Sequence, residues 1–82
     1  MTDLDAKAIA TKELVRLASE LNDATGCLEP FHVGRVDDNR LRLLRANTER
    51  FAECNELWEV CFEDCTVWID GETNTTSVTW SL

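Results

Sequence analysis

The chain has 82 residues, 44% of them hydrophobic, with 16 acids against eight Lys and Arg and a net charge of −8. That length makes one small domain with a modest core and little room for a deep pocket. The acidic balance disfavours nucleic acid and suits a basic protein partner.

The charge is unevenly spread. Up to Arg50 acids and bases nearly cancel; after it there are seven acids and no Lys or Arg. The same stretch holds Trp58, Trp68 and Trp80 and three of the four cysteines. The start, Met-Thr-Asp-Leu-Asp, has neither the basic nor the apolar region of a secretory signal, and no apolar run is long enough to span a membrane. The expected address is cytoplasmic, where Cys27, Cys54, Cys61 and Cys65 stay as free thiols.

Residues 4–25 read as an amphipathic helix. Ala10, Leu14, Leu17 and Leu21 follow the spacing of one helical face, and Lys12, Arg16, Glu20 and Asp23 fall largely outside it. Thr2 or Asp3 is placed to cap its start, and Gly26 to end it.

Residues 31–46 admit two readings. Phe31, Val33 and Gly34-Arg35-Val36 suggest a short strand, Asp37-Asp38-Asn39 a turn, and Arg40-Leu41-Arg42-Leu43 a second, alternating strand. This hairpin is the favoured reading. Leu41, Leu44, Thr48 and Phe51 also fit a helical face, so a second helix is the alternative.

Residues 57–82 alternate with period two. Trp58, Val60 and Phe62, then Val67 and Ile69, then Val78, Trp80 and Leu82 each share a face. A two-residue turn at Asp64-Cys65 sets Phe62 opposite Val67, Val60 opposite Ile69, Cys61 opposite Trp68 and Glu59 opposite Asp70. A turn-rich link at residues 70–74 then sets Val78 opposite Ile69 and Trp80 opposite Val67. The predicted fold is α+β, an N-terminal helix packed on a mainly antiparallel β-meander.

The order helix, Trp58-Glu59-Val60-Cys61-Phe62, Val67-Trp68-Ile69-Asp70-Gly71-Glu72-Thr73, final strand resembles the ending of small PepSY-type modules. It is also similar to immunity proteins with a nuclear-transport-factor-like fold. Both carry a Trp-x-Val-x-Phe strand before a Val-x-Val-Asp-x-x-Thr-Gly hairpin, with Asn74 here in place of the last Gly. The resemblance covers the C-terminal strands only. It implies inhibition or protein binding rather than catalysis, and it transfers no functional residue.

The chemistry-bearing residues point the same way. The cysteines lack the tight Cys-x-x-Cys pairs of a zinc site, so neither a metal nor another cofactor is expected. His32 is the only histidine, and nothing in the sequence brings it near a thiol. Arg35, Arg40, Arg42, Arg45 and Arg50 are read as pairing with the C-terminal acids or standing in solvent, not as a phosphate-binding patch. The outer face of the C-terminal sheet remains. There Trp68, Glu59 and Asp70 compose a protein-binding patch, an aromatic ringed by polar groups. The expectation is a small acidic non-enzymatic module, an inhibitor, immunity factor or adaptor, monomeric or homodimeric, that binds a basic protein and neither nucleic acid nor membrane. A homo-oligomeric structural protein is the second reading, and a small enzyme or metal-binding protein the third.

Overall fold

The computed structural model describes residues 1–21 and 29–80, with side chains described up to Leu17 in the first helix. Helix α1 spans Asp3–Leu21. Thr2 starts it with a reciprocal box: Asp5 N–H donates to Thr2 Oγ1 at 3.2 Å, and Thr2 N–H to Asp5 Oδ2 at 3.1 Å. Asp3 and Asp5 place negative charge at the positive end of the helix dipole. Ala6, Ala10 and Leu14 are buried and Leu17 packs at the margin of the core. The Gly26 cap, Cys27 and the side chain of Leu21 lie outside the described residues.

Strand β1 is His32–Arg35, and helix α2 is Asp38–Asn47. The predicted hairpin is therefore corrected, and the alternative helix is what forms. The reason is local. Asp37 caps α2 by accepting the Arg40 N–H at 2.8 Å. Leu41 and Phe51 are buried and Leu44 packs against them, whereas Leu43, which an alternating strand would bury with Leu41, is 62% exposed. Thr48 N–H closes the helix on Leu44 O, and a 3₁₀ turn follows at Glu49–Phe51.

Strands β2 (Leu57–Cys61), β3 (Cys65–Asp70) and β4 (Thr76–Trp80) form the meander, and β1 adds to its β2 side. The sheet has the order β1-β2-β3-β4, every pair antiparallel. The α+β class stands. The register moves by two residues: Val60 faces Val67, Trp58 faces Ile69 and Glu59 faces Trp68. The tight turn is at Glu63-Asp64, closed by Phe62 N–H on Cys65 O at 2.8 Å. Beyond it, Val67 faces Val78 and Cys65 faces Trp80. This hairpin closes at Asp70 and Thr75 and turns through Asn74, whose φ of 61° is left-handed. A two-residue shift leaves every side chain on its own face. Glu59 and Asp70 are no longer opposed; Asp70 faces Leu57.

Helix α1 packs over β1, β2 and β3. Between them lie Ala6, Ala10, Leu14, Trp58, Val60, Phe62, Cys65, Val67 and Ile69. Val60, Val67 and Ile69, fully buried there, each contribute about 1.5–3 kcal/mol. Val78 is half-buried at this core's edge, and Trp80, expected inside it, is 48% exposed. Trp80 lies on an edge strand outside the main footprint of α1. The opposite face is covered too. Val36, Leu41, Phe51, Cys54 and Leu57 form a second core, with Leu44 and Trp68 packed against it. Among the described residues no helix is long and apolar enough to cross a membrane.

Candidate functional site

The patch predicted on the outer face is divided by α2. Glu59 sits at the centre of β2 and is only 7% exposed. Arg40, in the first turn of α2, grips it with both arms: Nη1 donates to Oε1 at 2.7 Å and Nη2 to Oε2 at 3.1 Å. His32 Nε2 stands 3.3 Å from the same Oε1. The Arg40 hydrogen bonds hold the Glu59 carboxyl below the usual carboxylate range, against the opposing effect of burial. Glu59 thus anchors α2 to the sheet rather than facing a partner.

Trp68 lies directly across from Glu59 in the ladder. It is half-buried, its indole N–H donates to Thr79 Oγ1 at 3.0 Å, and its ring meets Phe51 at 5.5 Å with a 55° tilt. Asp70 ends β3, and its Oδ1 accepts the N–H of Glu72 at 2.8 Å and of Thr73 at 3.3 Å, an Asx-type turn.

Trp68 and Asp70 do come together. They line a cleft of about 450 Å³ between the 3₁₀ turn and the β3–β4 hairpin. Phe51, Leu57 and Trp68 supply its apolar surface, and Glu53 and Asp70 its acids. Arg50 also lines it and donates to Ser77 Oγ at 2.6 Å. Glu59 does not line the cleft. Phe51, Leu57 and Glu53 were not among the residues expected at the site. Phe51 alone had a signal, as the last member of the Leu41, Leu44, Thr48 helical face.

Most of the arginine segment is used within the chain. Arg40 binds Glu59, Arg35 lies 3.8 Å from Glu56, Arg45 Nε donates to Ala52 O, and Arg50 holds Ser77. Arg42 is exposed.

One juxtaposition lies outside the sequence reading. His32 is the cross-strand partner of Cys61, so strand pairing brings the histidine beside a thiol. Burial pushes the Cys61 thiol up, which favours the protonated form, and Thr66 Oγ1 lies 3.9 Å from its sulfur. Burial also raises the thiols of Cys54 and Cys65. All three are free. Among the described residues no three His, Cys, Asp or Glu side chains are placed to share a metal ion.

The cleft offers a flat aromatic, an apolar wall and two carboxylates. Such a set suits the stem and head of a Lys or Arg side chain, by stacking and ion pairing together, beside the Arg50 that already lines the cleft. Comparison with protein-family models, with curated proteins and with solved structures finds no match to this chain.

Proposed function

We propose that this chain is a small acidic non-enzymatic protein-binding module, an inhibitor, immunity factor or adaptor acting in the cytoplasm. Its docking site is the cleft over Trp68. The observation that carries the reading is the grouping of Trp68 and Phe51 with Glu53 and Asp70 in one cleft, on the stretch of chain that has no base. The partner is a basic protein that inserts an Arg or Lys side chain. Nucleic acid fits poorly, because the chain is acidic and four of the five arginines between residues 35 and 50 are engaged internally. The resemblance of the C-terminal strands to PepSY-type modules and nuclear-transport-factor-like immunity proteins leans the same way. An enzyme or metal protein has less support, since burial favours protonated thiols at Cys54, Cys61 and Cys65. A structural oligomer built on Trp68 also has less support, because a twofold interface there would bring the Glu53 and Asp70 carboxylates of two copies together.

The test is an NMR titration with an Arg-rich peptide, using a neutral peptide of equal length as control. The Trp68 indole resonance should move, and those of Trp58 and Trp80 should stay. Glu53→Gln with Asp70→Asn should weaken binding about tenfold. The amide oxygen introduced by Asp70→Asn still accepts the turn hydrogen bonds, so the hairpin is kept. If the neutral peptide moves Trp68 equally, or the double variant binds unchanged, the cleft is not a cation site.

A further inference from the structure

The sheet has two edges, and they differ. β1 is four residues long and carries Gly34 and Arg35. β4 reads Thr-Ser-Val-Thr-Trp, with no charge, Pro or Gly. Natural edge strands are blunted by charges, prolines, bulges or a covering element, and within β4 none of the residue types that do this is present.

The direction of the free backbone groups follows from the hairpins. Asp70 N–H donates to Thr75 O, so 70 and 75 are a hydrogen-bonded pair, and alternation makes 68 with 77 and 66 with 79 the next. Phe62 N–H on Cys65 O fixes the same parity from the other side, turning 65, 67 and 69 towards β2. Thr76, Val78 and Trp80 therefore aim their N–H and C=O groups outward. Their side chains share the α1 face, where Val78 is half-buried and Trp80 half-exposed.

We propose that β4 pairs antiparallel with β4 of a second copy of this chain, across a twofold axis at Val78, so that the two sheets become continuous. The strand is self-complementary in that register. Val78 meets Val78, and Thr76 meets Trp80, so every outward-facing residue of one copy finds an outward-facing residue of the other, for about six ladder hydrogen bonds. Each Trp80 ring then crosses a threonine and lies diagonal to a valine, the aromatic and β-branched neighbours that stabilise strand pairs. The net charge opposes association, and Glu13 of α1 lies beside Thr76, but the strand itself is neutral. Residues 73–82 carry no charged side chain. The antiparallel arrangement also sets the acidic turn with Asp70 and Glu72 of one copy against the Trp80 end of the other strand, so the two turns lie at opposite ends. A foreign peptide would need to match a neutral strand, whereas the chain's own β4 already does. This inference is independent of the Trp68 cleft.

The experiment is sedimentation equilibrium on the full chain from about 5 μM to about 1 mM, paired with amide hydrogen exchange by NMR. The expected result is a mass rising from the 9.3 kDa of one chain towards twice that value. The dimer should tighten as salt is raised, through screening of the like charges. The amides of Thr76, Val78 and Trp80 should gain protection with concentration, while those of Ser77 and Thr79, already bonded to β3, change little. Val78→Pro removes an outward N–H and leaves the β3 ladder intact, so it should weaken the dimer at least about tenfold. If that variant fails to fold, Trp80→Lys, at a half-exposed site, should weaken the dimer likewise. A chain that stays monomeric throughout, or a dimer whose new protection appears on β1 instead, overturns the proposal.

Discussion

The two faces of this sheet are closed by different means. Under α1 the contact is mainly apolar: Ala6, Ala10 and Leu14 lie on Trp58, Val60, Phe62, Val67 and Ile69. Under α2 a smaller apolar cluster of Val36, Leu41, Phe51, Cys54 and Leu57 shares the face with a buried carboxylate, Glu59, clamped by Arg40. The first face draws its stability from area removed from water, which tolerates small shifts in position. The second also depends on a charge pair whose two hydrogen bonds must both be made, because a buried ion without its partner is costly. One face is held by amount, the other by alignment.

The largest expected effect lies on the apolar face. Phe62→Ala should cost about 3–5 kcal/mol, read as a drop in the urea midpoint at unchanged slope. A loss under about 1 kcal/mol would mean that α1 repacks and that the contrast between the faces is overstated. On the other face, Arg40→Ala should cost about 1–3 kcal/mol by leaving Glu59 without its main partner. The double variant Arg40→Leu with Glu59→Leu should return to within about 1 kcal/mol of the native chain, since it removes both charges at once. If the double variant is as unstable as the single one, packing rather than pairing holds α2 down.

The smallest effect is in acid. Arg40 lowers the folded-state value of Glu59 relative to the unfolded chain, so the stabilisation is complete above about pH 4.3. It fades as pH falls through the folded value. Thermal midpoints of the native chain and Glu59→Gln should therefore differ most near neutrality and converge in acid once pH has fallen through the folded value. The other carboxylates, including Glu13, which Arg16 also lowers, titrate in both proteins and cancel in the difference. A constant gap far into acid would show that Glu59 is not tuned by its partner.

What was legible in the sequence follows the same division. The α1 stripe, as far as Leu17, and the shared face of Trp58, Val60, Phe62, Val67 and Ile69 are local periodicities, and both are present in the fold. The register was not legible, because a period of two cannot see a slip of two; the turn at Glu63-Asp64 decides it. Helix α2 was ambiguous because Arg40-Leu41-Arg42-Leu43 alternates and also fits a helix; the Asp37 cap and the burial of Leu41 with Phe51 favour the helix. The burial of Glu59 depends on an arginine 19 residues away, and the nearness of His32 to Cys61 on a β1–β2 pairing that spans all of α2. No window along the chain holds either fact. Of the predicted patch, Trp68 and Asp70 were recoverable as a pair, and Glu59 was assigned to solvent because an acid on a strand normally goes there.

Glu59 also bears on how the chain avoids misfolding. Sliding β3 along β2 by two residues keeps each apolar side chain on its own side, so hydrophobic burial alone discriminates weakly between the two alignments. The alternative alignment sets Asp70 opposite Glu59. That brings a second carboxylate up to one already enclosed beneath α2, where like charges repel far more strongly than in water. The native alignment places Trp68 there instead. A single enclosed acid thus removes a near-degenerate competitor that the apolar pattern would have let stand.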